Sequence, residues 1–252
     1  MRGLAALLLL LCALPLRAEE VVLGLSQNRV SITTNFDGSE ILIFGAVKRE
    51  TALPEDPLQV VITVAGPSQQ LTIRRKDRRF GIWVNSAAVP IDSAPSFYAV
   101  ATSAPLRQTL SETEDLRHSV TVPRAIRSVG APADVGDAQL FTDALIRIRE
   151  KADLYQTLEG EINFREQTLF SSAIALPANL TEGNYTTRIF LTRDGAVVSQ
   201  YETVIHVNKV GLERFLFNLS REQPLVYGLL SLAIAIIAGW LASAAFTLLR
   251  QG

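Results

Sequence analysis

Apolar positions fall into three regimes along this chain. From Val21 to Thr102 they come in short, β-branched stretches: Val21–Leu25, Arg29–Thr34, Glu40–Val47, Leu58–Ala65, Gln70–Arg75, Arg79–Val84 and Phe97–Thr102. Asp37-Gly38, Pro54, Pro57, Gly66-Pro67, Pro90 and Pro95 punctuate them. Strands this short, recurring roughly every ten residues between turn residues, predict a mainly β, antiparallel, Ig-like sandwich, with Gln70–Arg75 and Arg79–Val84 paired as a hairpin. The period then changes. Pro105 opens a weak amphipathic helix carrying Leu106, Leu110 and Leu116, and Val120–Gly136, with Pro123 and Pro132, reads as loop. Asp137–Tyr155 is the strongest soluble helix: Phe141, Ala144, Leu145, Ile148, Ala152 and Tyr155 share a stripe, and Asp143 and Arg147 pair elsewhere on it. Strands return at Thr168–Leu176, Tyr185–Thr192 and Ala196–Val207, the last two joined by an Arg193-Asp194-Gly195 turn.

The third regime is an unbroken apolar run from Leu225 to Leu249, without a charge. As a helix it is roughly 37 Å long, against about 30 Å of bilayer hydrocarbon, so it can span with some tilt. Gly211–Glu222, with Leu212, Phe215, Leu216 and Leu219 on one side, is either a short interfacial helix before Pro224 or a continuation of the span past a proline kink. At the other end, Arg2, the apolar stretch Leu4–Leu14 and the small residue Ala18 read as a secretory signal cut after Ala18. A cleaved signal followed by one late span puts the body outside the cytoplasm and leaves 250–252 as the cytoplasmic tail, with Arg250 as its anchor. The chain therefore divides into a signal (1–18), a β part (19–102), a helical insertion (103–158), a β part continuing the first or forming a second domain (159–210), a juxtamembrane segment (211–223) and a transmembrane helix (224–249).

Charge and composition narrow the function. The 24 basic and 25 acidic residues nearly balance, which argues against nucleic acid as a partner. The one cysteine, Cys12, lies in the signal, and the two histidines, His118 and His206, lie in different segments, so no metal or cofactor site is expected. There is no phosphate-binding glycine loop and no Gly-x-Ser-x-Gly elbow. Glu112, Glu114 and Asp115 near His118 could be assembled into an acid-base site, but a solvated helix end accounts for them. The Asn-x-Ser/Thr triplets at Asn179, Asn184 and Asn218 fit the glycosylation acceptor pattern, which has meaning only in a chain from a glycosylating secretory pathway.

Two features have the composition of contact surfaces. Arg74-Arg75-Lys76-Asp77-Arg78-Arg79 lies at the expected hairpin tip and suits lipid phosphates, an acidic partner or a small anion. Ser231, Ala235, Gly239 and Ser243 recur every four residues along the span, which would let another helix, of a second membrane protein or of the same protein, approach closely.

Val22-Leu23-Gly24-Leu25-Ser26, the stretch Val30-Ser31-Ile32-Thr33-Thr34-x-Phe36-x-Gly38, Phe44-Gly45-Ala46 and Gly81-Ile82-Trp83-Val84-Asn85 resemble an alphaproteobacterial family of exported proteins with one C-terminal span. The resemblance covers essentially the whole mature chain. It implies a bacterial inner-membrane protein facing the periplasm, points to a sulfite-exporter-type permease as partner, and carries no catalytic residues. The expectation is a non-enzymatic accessory protein of the bilayer that binds a membrane transporter or another envelope protein. The alternatives are a periplasmic small-anion binder using the arginine-rich tip and, more remotely, a carboxylate-dependent hydrolase.

Overall fold

The computed structural model describes residues 19–26, 29–32, 38–49, 56–128, 138–209 and 212–251. The signal segment 1–18, with Arg2, Cys12 and Ala18, lies outside the described residues, as do Thr33, Thr34, Pro132 and Gly252. In chain order the elements are β1 (Glu19–Leu25), β2 (Arg29–Ile32), β3 (Ser39–Arg49), β4 (Gln59–Ala65), β5 (Ser68–Arg79), β6 (Ile82–Pro95) and β7 (Tyr98–Thr102). Four helices follow, α1 (Leu106–Thr109), α2 (Glu112–His118), α3 (Val122–Ala125) and α4 (Ala138–Glu150). Then come β8 (Tyr155–Leu158), β9 (Asn163–Arg165), β10 (Leu169–Leu176), β11 (Gly183–Arg193) and β12 (Ala196–Lys209), and finally α5 (Leu212–Glu222) and α6 (Pro224–Gln251).

The strands build a four-stranded sheet in the order β1-β3-β10-β9, a six-stranded sheet in the order β2-β12-β11-β4-β7-β8, and a separate β5-β6 ribbon. Strands from residues 159–209 pair with strands from residues 19–102 in both large sheets, so the late strands complete the early ones. In β10 the side chains alternate, with Phe170, Ser172, Ile174 and Leu176 inside. In β4 and β7, which are central, both faces are covered: Val60–Val64 and all of Tyr98–Thr102 are buried. This explains why Leu58–Ala65 reads as a continuous apolar run while β10 alternates.

Glycine sets the close approaches in the four-stranded sheet. Gly45 lies beside Phe170, whose buried ring fills the space where a Cβ would sit, and the Val22 carbonyl is 2.9 Å from that point. Gly24 is covered likewise by the Phe44 ring on the other face. A side chain at Gly45 must displace both a packed ring and a backbone oxygen. Gly45→Ala is therefore expected to destabilise by about 2 kcal/mol, the range of core overpacking. Thermal melts should show Phe170→Leu partly rescuing it, and strictly additive losses would refute the contact.

Five details depart from the sequence expectations. First, β8 runs parallel to β7, because the chain returns from the helical segment to the same end of the sheet as a crossover. Second, the strongest helix stops at Glu150 instead of reaching Tyr155. Leu154 N–H donates to Arg149 O (2.9 Å) and Asp153 N–H to Glu150 O (3.0 Å), with Asp153 at φ +55°. This is a Schellman stop made with aspartate in place of the usual glycine. Phe141 and Leu145 are buried, but Ile148 is exposed, Tyr155 belongs to β8, and Asp143 accepts from Gln139 (3.0 Å). Third, the Leu106–Leu116 helix is two helices. Leu110 is extended and buried, and Ser111 caps α2 by accepting from Glu114 N–H (3.4 Å), leaving Leu116 exposed. Fourth, the loop after Val120 contains the single turn α3, with Pro123 in its first turn. Fifth, the hairpin is longer than expected, with its turn at Phe80-Gly81.

The chain divides into two units, Met1–Val30 with Asp37–Val207, and Ser31–Phe36 with Asn208–Gly252. In the second unit, α5 and α6 are separated at Gln223. Gln223 N–H donates to Leu219 O (3.1 Å) and Tyr227 N–H to Gln223 O (3.1 Å), so helical bonding is carried across the interruption at Pro224, which has no N–H to give. The stretch Pro224–Ser243 has mean hydropathy 2.2 and is the one helix among the described residues long and apolar enough to cross a membrane.

Candidate interaction surfaces

The β5-β6 ribbon changes character along its length. At its base Val89, Ile91 and Ala94 are buried, and Ser93 and Arg127 exchange backbone hydrogen bonds (3.1 and 2.8 Å). Farther out the Arg75 guanidinium lies over the Phe141 ring of α4, 5.9 Å from its centre. Beyond that point the chain is solvated. Phe80, Ile82 and Trp83 are 104%, 65% and 68% exposed. The register sets Arg79 opposite Ile82, Arg78 opposite Trp83 and Lys76 opposite Asn85. Side chains alternate between faces along a strand, so the cations Arg74, Arg75, Lys76, Arg78 and Arg79 are spread over both faces and do not converge on one point. Arg75 has Asp77 at 3.9 Å, and Arg78 Nε donates to the Gly81 carbonyl (3.4 Å). The cations stand out in the sequence as a charge run, whereas the apolar tip emerges from the fold. The available signal was the abrupt change from charge to Phe-Gly-Ile-Trp at a turn.

On α6, Ser231, Ala235, Gly239 and Ser243 fall on one side and are exposed. A Cβ built on Gly239 meets nothing within 4 Å. The Ser231 hydroxyl donates back to Tyr227 O (2.9 Å), which satisfies it within the helix. A third surface was not anticipated. On the outer face of the four-stranded sheet Val22, Leu42, Phe44 and Leu169 are exposed, and the register puts Ala46 and Ala173 among them.

The acidic cluster of α2 is engaged in holding the fold. Glu114 pairs with Arg117 and with His118 Nε2 (3.3 Å). Asp115 accepts from the N–H groups of Val120 (3.1 Å) and Thr121 (2.8 Å) and from the Thr121 hydroxyl (2.8 Å), which fixes the exit from α2. Asp115 and Glu112 also line a cleft of ≈ 750 Å³ together with Arg124, Thr142 and Glu150. His206 Nδ1 is 2.8 Å from Asn184 Oδ1 across the β11-β12 pair, whereas His118 ends α2. Among the described residues no group of three or more His, Cys, Asp or Glu is placed to hold a metal ion.

Spacing could not reveal the network centred on Arg188 of β11. Its guanidinium donates to the carbonyls of His118 (2.7 Å) and Ser119 (3.1 Å) at the C-terminus of α2 and to the Tyr98 hydroxyl (3.3 Å), and it lies over the Phe190 ring (5.3 Å). Tyr98 in turn donates to Val120 O (2.8 Å). Burial raises the Tyr98 pKa, and neighbouring Arg188 opposes that rise without cancelling it.

The two-sheet body and the single apolar C-terminal helix define a class, a β-sandwich protein that fits a single pass through a membrane. The particular family follows from comparison: the model described as "Putative transmembrane protein (Alph_Pro_TM)" matches residues 20–247, and the chain belongs to this family. No curated protein matches. Among solved structures the chain is similar to Spo0M, sporulation control protein, from Bacillus subtilis, at 13% identity and a TM-score of 0.28. The match covers 81% of this chain and 55% of that one, so it spans little more than half of the Spo0M chain.

Proposed function

We propose that this protein is a non-enzymatic accessory subunit of the envelope, held in the bacterial inner membrane by α6 with its body in the periplasm and its C-terminus in the cytoplasm. Its partner in this reading is a membrane transporter, of the sulfite-exporter type that the family resemblance suggests. The observation that carries the reading is the small-residue side of α6. Close helix approach in a bilayer is driven by packing, and Ser231, Ala235, Gly239 and Ser243 leave room for a neighbouring backbone. The apolar outer face of the four-stranded sheet gives the body a surface of the same accessory kind. The engagement of Glu114 and Asp115 in local structure supports a binding role over hydrolysis.

The test is a mild-detergent pull-down of the full chain from its native membranes beside Gly239→Leu and Ala235→Leu. The expected result is a specific membrane protein retained by the native helix and lost with either leucine, while the body's thermal transition is unchanged. A partner recovered equally by all three forms, or no partner with any, would refute the reading.

A further inference from the structure

We infer that the tip of the β5-β6 ribbon is a membrane-surface probe that seats Phe80, Ile82 and Trp83 in the interfacial layer of an anionic bilayer while its cations engage lipid phosphates. This goes beyond the accessory role and does not depend on a partner for α6.

Three observations converge on it. The first is composition by position. The most exposed part of the ribbon is its most apolar part, with Phe80 fully in solvent and Ile82 and Trp83 about two-thirds exposed. A lone hairpin is marginal in water, and a soluble tip would carry Asn-Gly or Asp-Gly instead. The second is conformation. The turn places Phe80 at φ +50° and Gly81 at φ +86°. A bulky aromatic in the left-handed region is costly, so the sequence accepts strain to present a ring at this point. The third is charge. Five cations and one anion, Asp77, occupy the six positions Arg74–Arg79 immediately behind the apolar tip. Tryptophan and arginine together are the side chains that settle at the headgroup level, the ring at the hydrocarbon boundary and the guanidinium on phosphate.

The register decides between occupants. Arg78 with Trp83 occupies one face of the ribbon and Arg79 with Ile82 the other. A protein surface would cover one face and leave the other apolar residue in water. A fluid interfacial layer surrounds the tip and covers both faces. The dispersal of the cations likewise fits a sheet of phosphates better than one small anion. The chain belongs to a transmembrane family, so a bilayer is a surface it meets.

The experiment uses the full chain, one copy per nanodisc, in phosphatidylcholine with or without phosphatidylglycerol. The chain has two tryptophans, so Trp240→Phe leaves Trp83 as the only emitter. The expected result is a blue-shifted Trp83 emission quenched by brominated acyl chains in the anionic discs and much less in the neutral ones. Each cation near an anionic surface favours docking by about five-fold, so Arg78→Ala with Arg79→Ala should lower the docked-to-free ratio by about 25-fold. Charge reversal to glutamate at both positions should abolish bromolipid quenching. Trp83 that stays open to aqueous iodide in anionic discs would overturn the proposal. So would Trp83 shielded from iodide but untouched by bromolipid, which would assign the tip to a protein surface or a small anion site.

Discussion

Arg188→Met should cost the body about 3 kcal/mol, seen as a lower denaturation midpoint with an unchanged slope. The size follows from what the guanidinium touches. The last carbonyls of a helix have no partner within it, and α2 ends at His118 with Ser119 in the left-handed region at φ +50°. Arg188 supplies two of the missing donors, and its positive charge lies at the negative end of the helix dipole. Methionine keeps the stem that packs by Phe190 and removes every donor. A hydrogen bond to a charged donor contributes about 1.5–3 kcal/mol, and the partners left behind are partly buried, so the loss exceeds that of a surface charge. For a body of this size the melting temperature should fall by roughly 10 °C. Arg188→Lys should recover only part of this, since one ammonium cannot span both carbonyls and the Tyr98 hydroxyl. Tyr98→Phe combined with Arg188→Met should fall short of additivity, because the two side chains share the Ser119 carbonyl. A loss under about 1 kcal/mol would mean that water replaces the guanidinium at the end of α2.

The network also shows where sequence reading ends. The strands were legible because a pleated half-buried surface leaves a period of two in the residues, as in β10, and because Asp194-Gly195, at φ +50° and +74°, is a turn the chain can announce locally. The apolar helix was legible from length and hydropathy alone. The stop of α4 was not, since Asp153 replaces the glycine on which a reader relies, and the break at Leu110 was hidden because a buried extended leucine keeps the apolar count of a helix. The β7-β8 pair was invisible for a different reason. A parallel neighbour is set by the path of the helical crossover, and no residue in Tyr155–Leu158 encodes it. Candidate surfaces divide in the same way. The small residues of α6 and the cations of the ribbon are local patterns, while Arg188 and Tyr98 are 90 residues apart in sequence and meet only in the fold. The ribbon tip lies between these cases. Gly81-Ile82-Trp83 carries part of the family resemblance and Arg74–Arg79 is a local charge pattern, but Phe80 has no such mark, and only the register shows that apolar and cationic side chains share both faces.

Alkaline unfolding should begin near pH 10 and steepen sharply, with three tyrosines responsible. Burial raises the pKa of Tyr98 and of Tyr185, and pushes Tyr155 up to about 12. Each hydroxyl donates to a backbone carbonyl: Tyr98 to Val120 (2.8 Å), Tyr155 to Pro95 (2.8 Å) and Tyr185 to Thr181 (2.8 Å). A phenolate in any of these places would lose the bond and set a negative oxygen against a carbonyl. The sign follows from the protons bound. Above pH 10 the unfolded chain releases its phenolic protons while the folded chain keeps them, so the unfolded state binds fewer and stability falls as pH rises. The contribution is whole below pH 10 and is lost as pH climbs through the folded values. Tyr155, with a folded value of about 12, adds up to about 1.4 kcal/mol per pH unit once the unfolded phenol has released its proton, and Tyr98 and Tyr185 act in the same direction. Tyr155→Phe separates this from lysine deprotonation. It should cost about 1 kcal/mol at neutral pH for the bond to Pro95, yet lose stability less steeply than the native chain between pH 10 and about 12. The two stability curves should therefore converge within that window. Parallel curves, or phenolate absorbance from Tyr155 appearing before the unfolding transition, would show that its hydroxyl is open to water in the folded body.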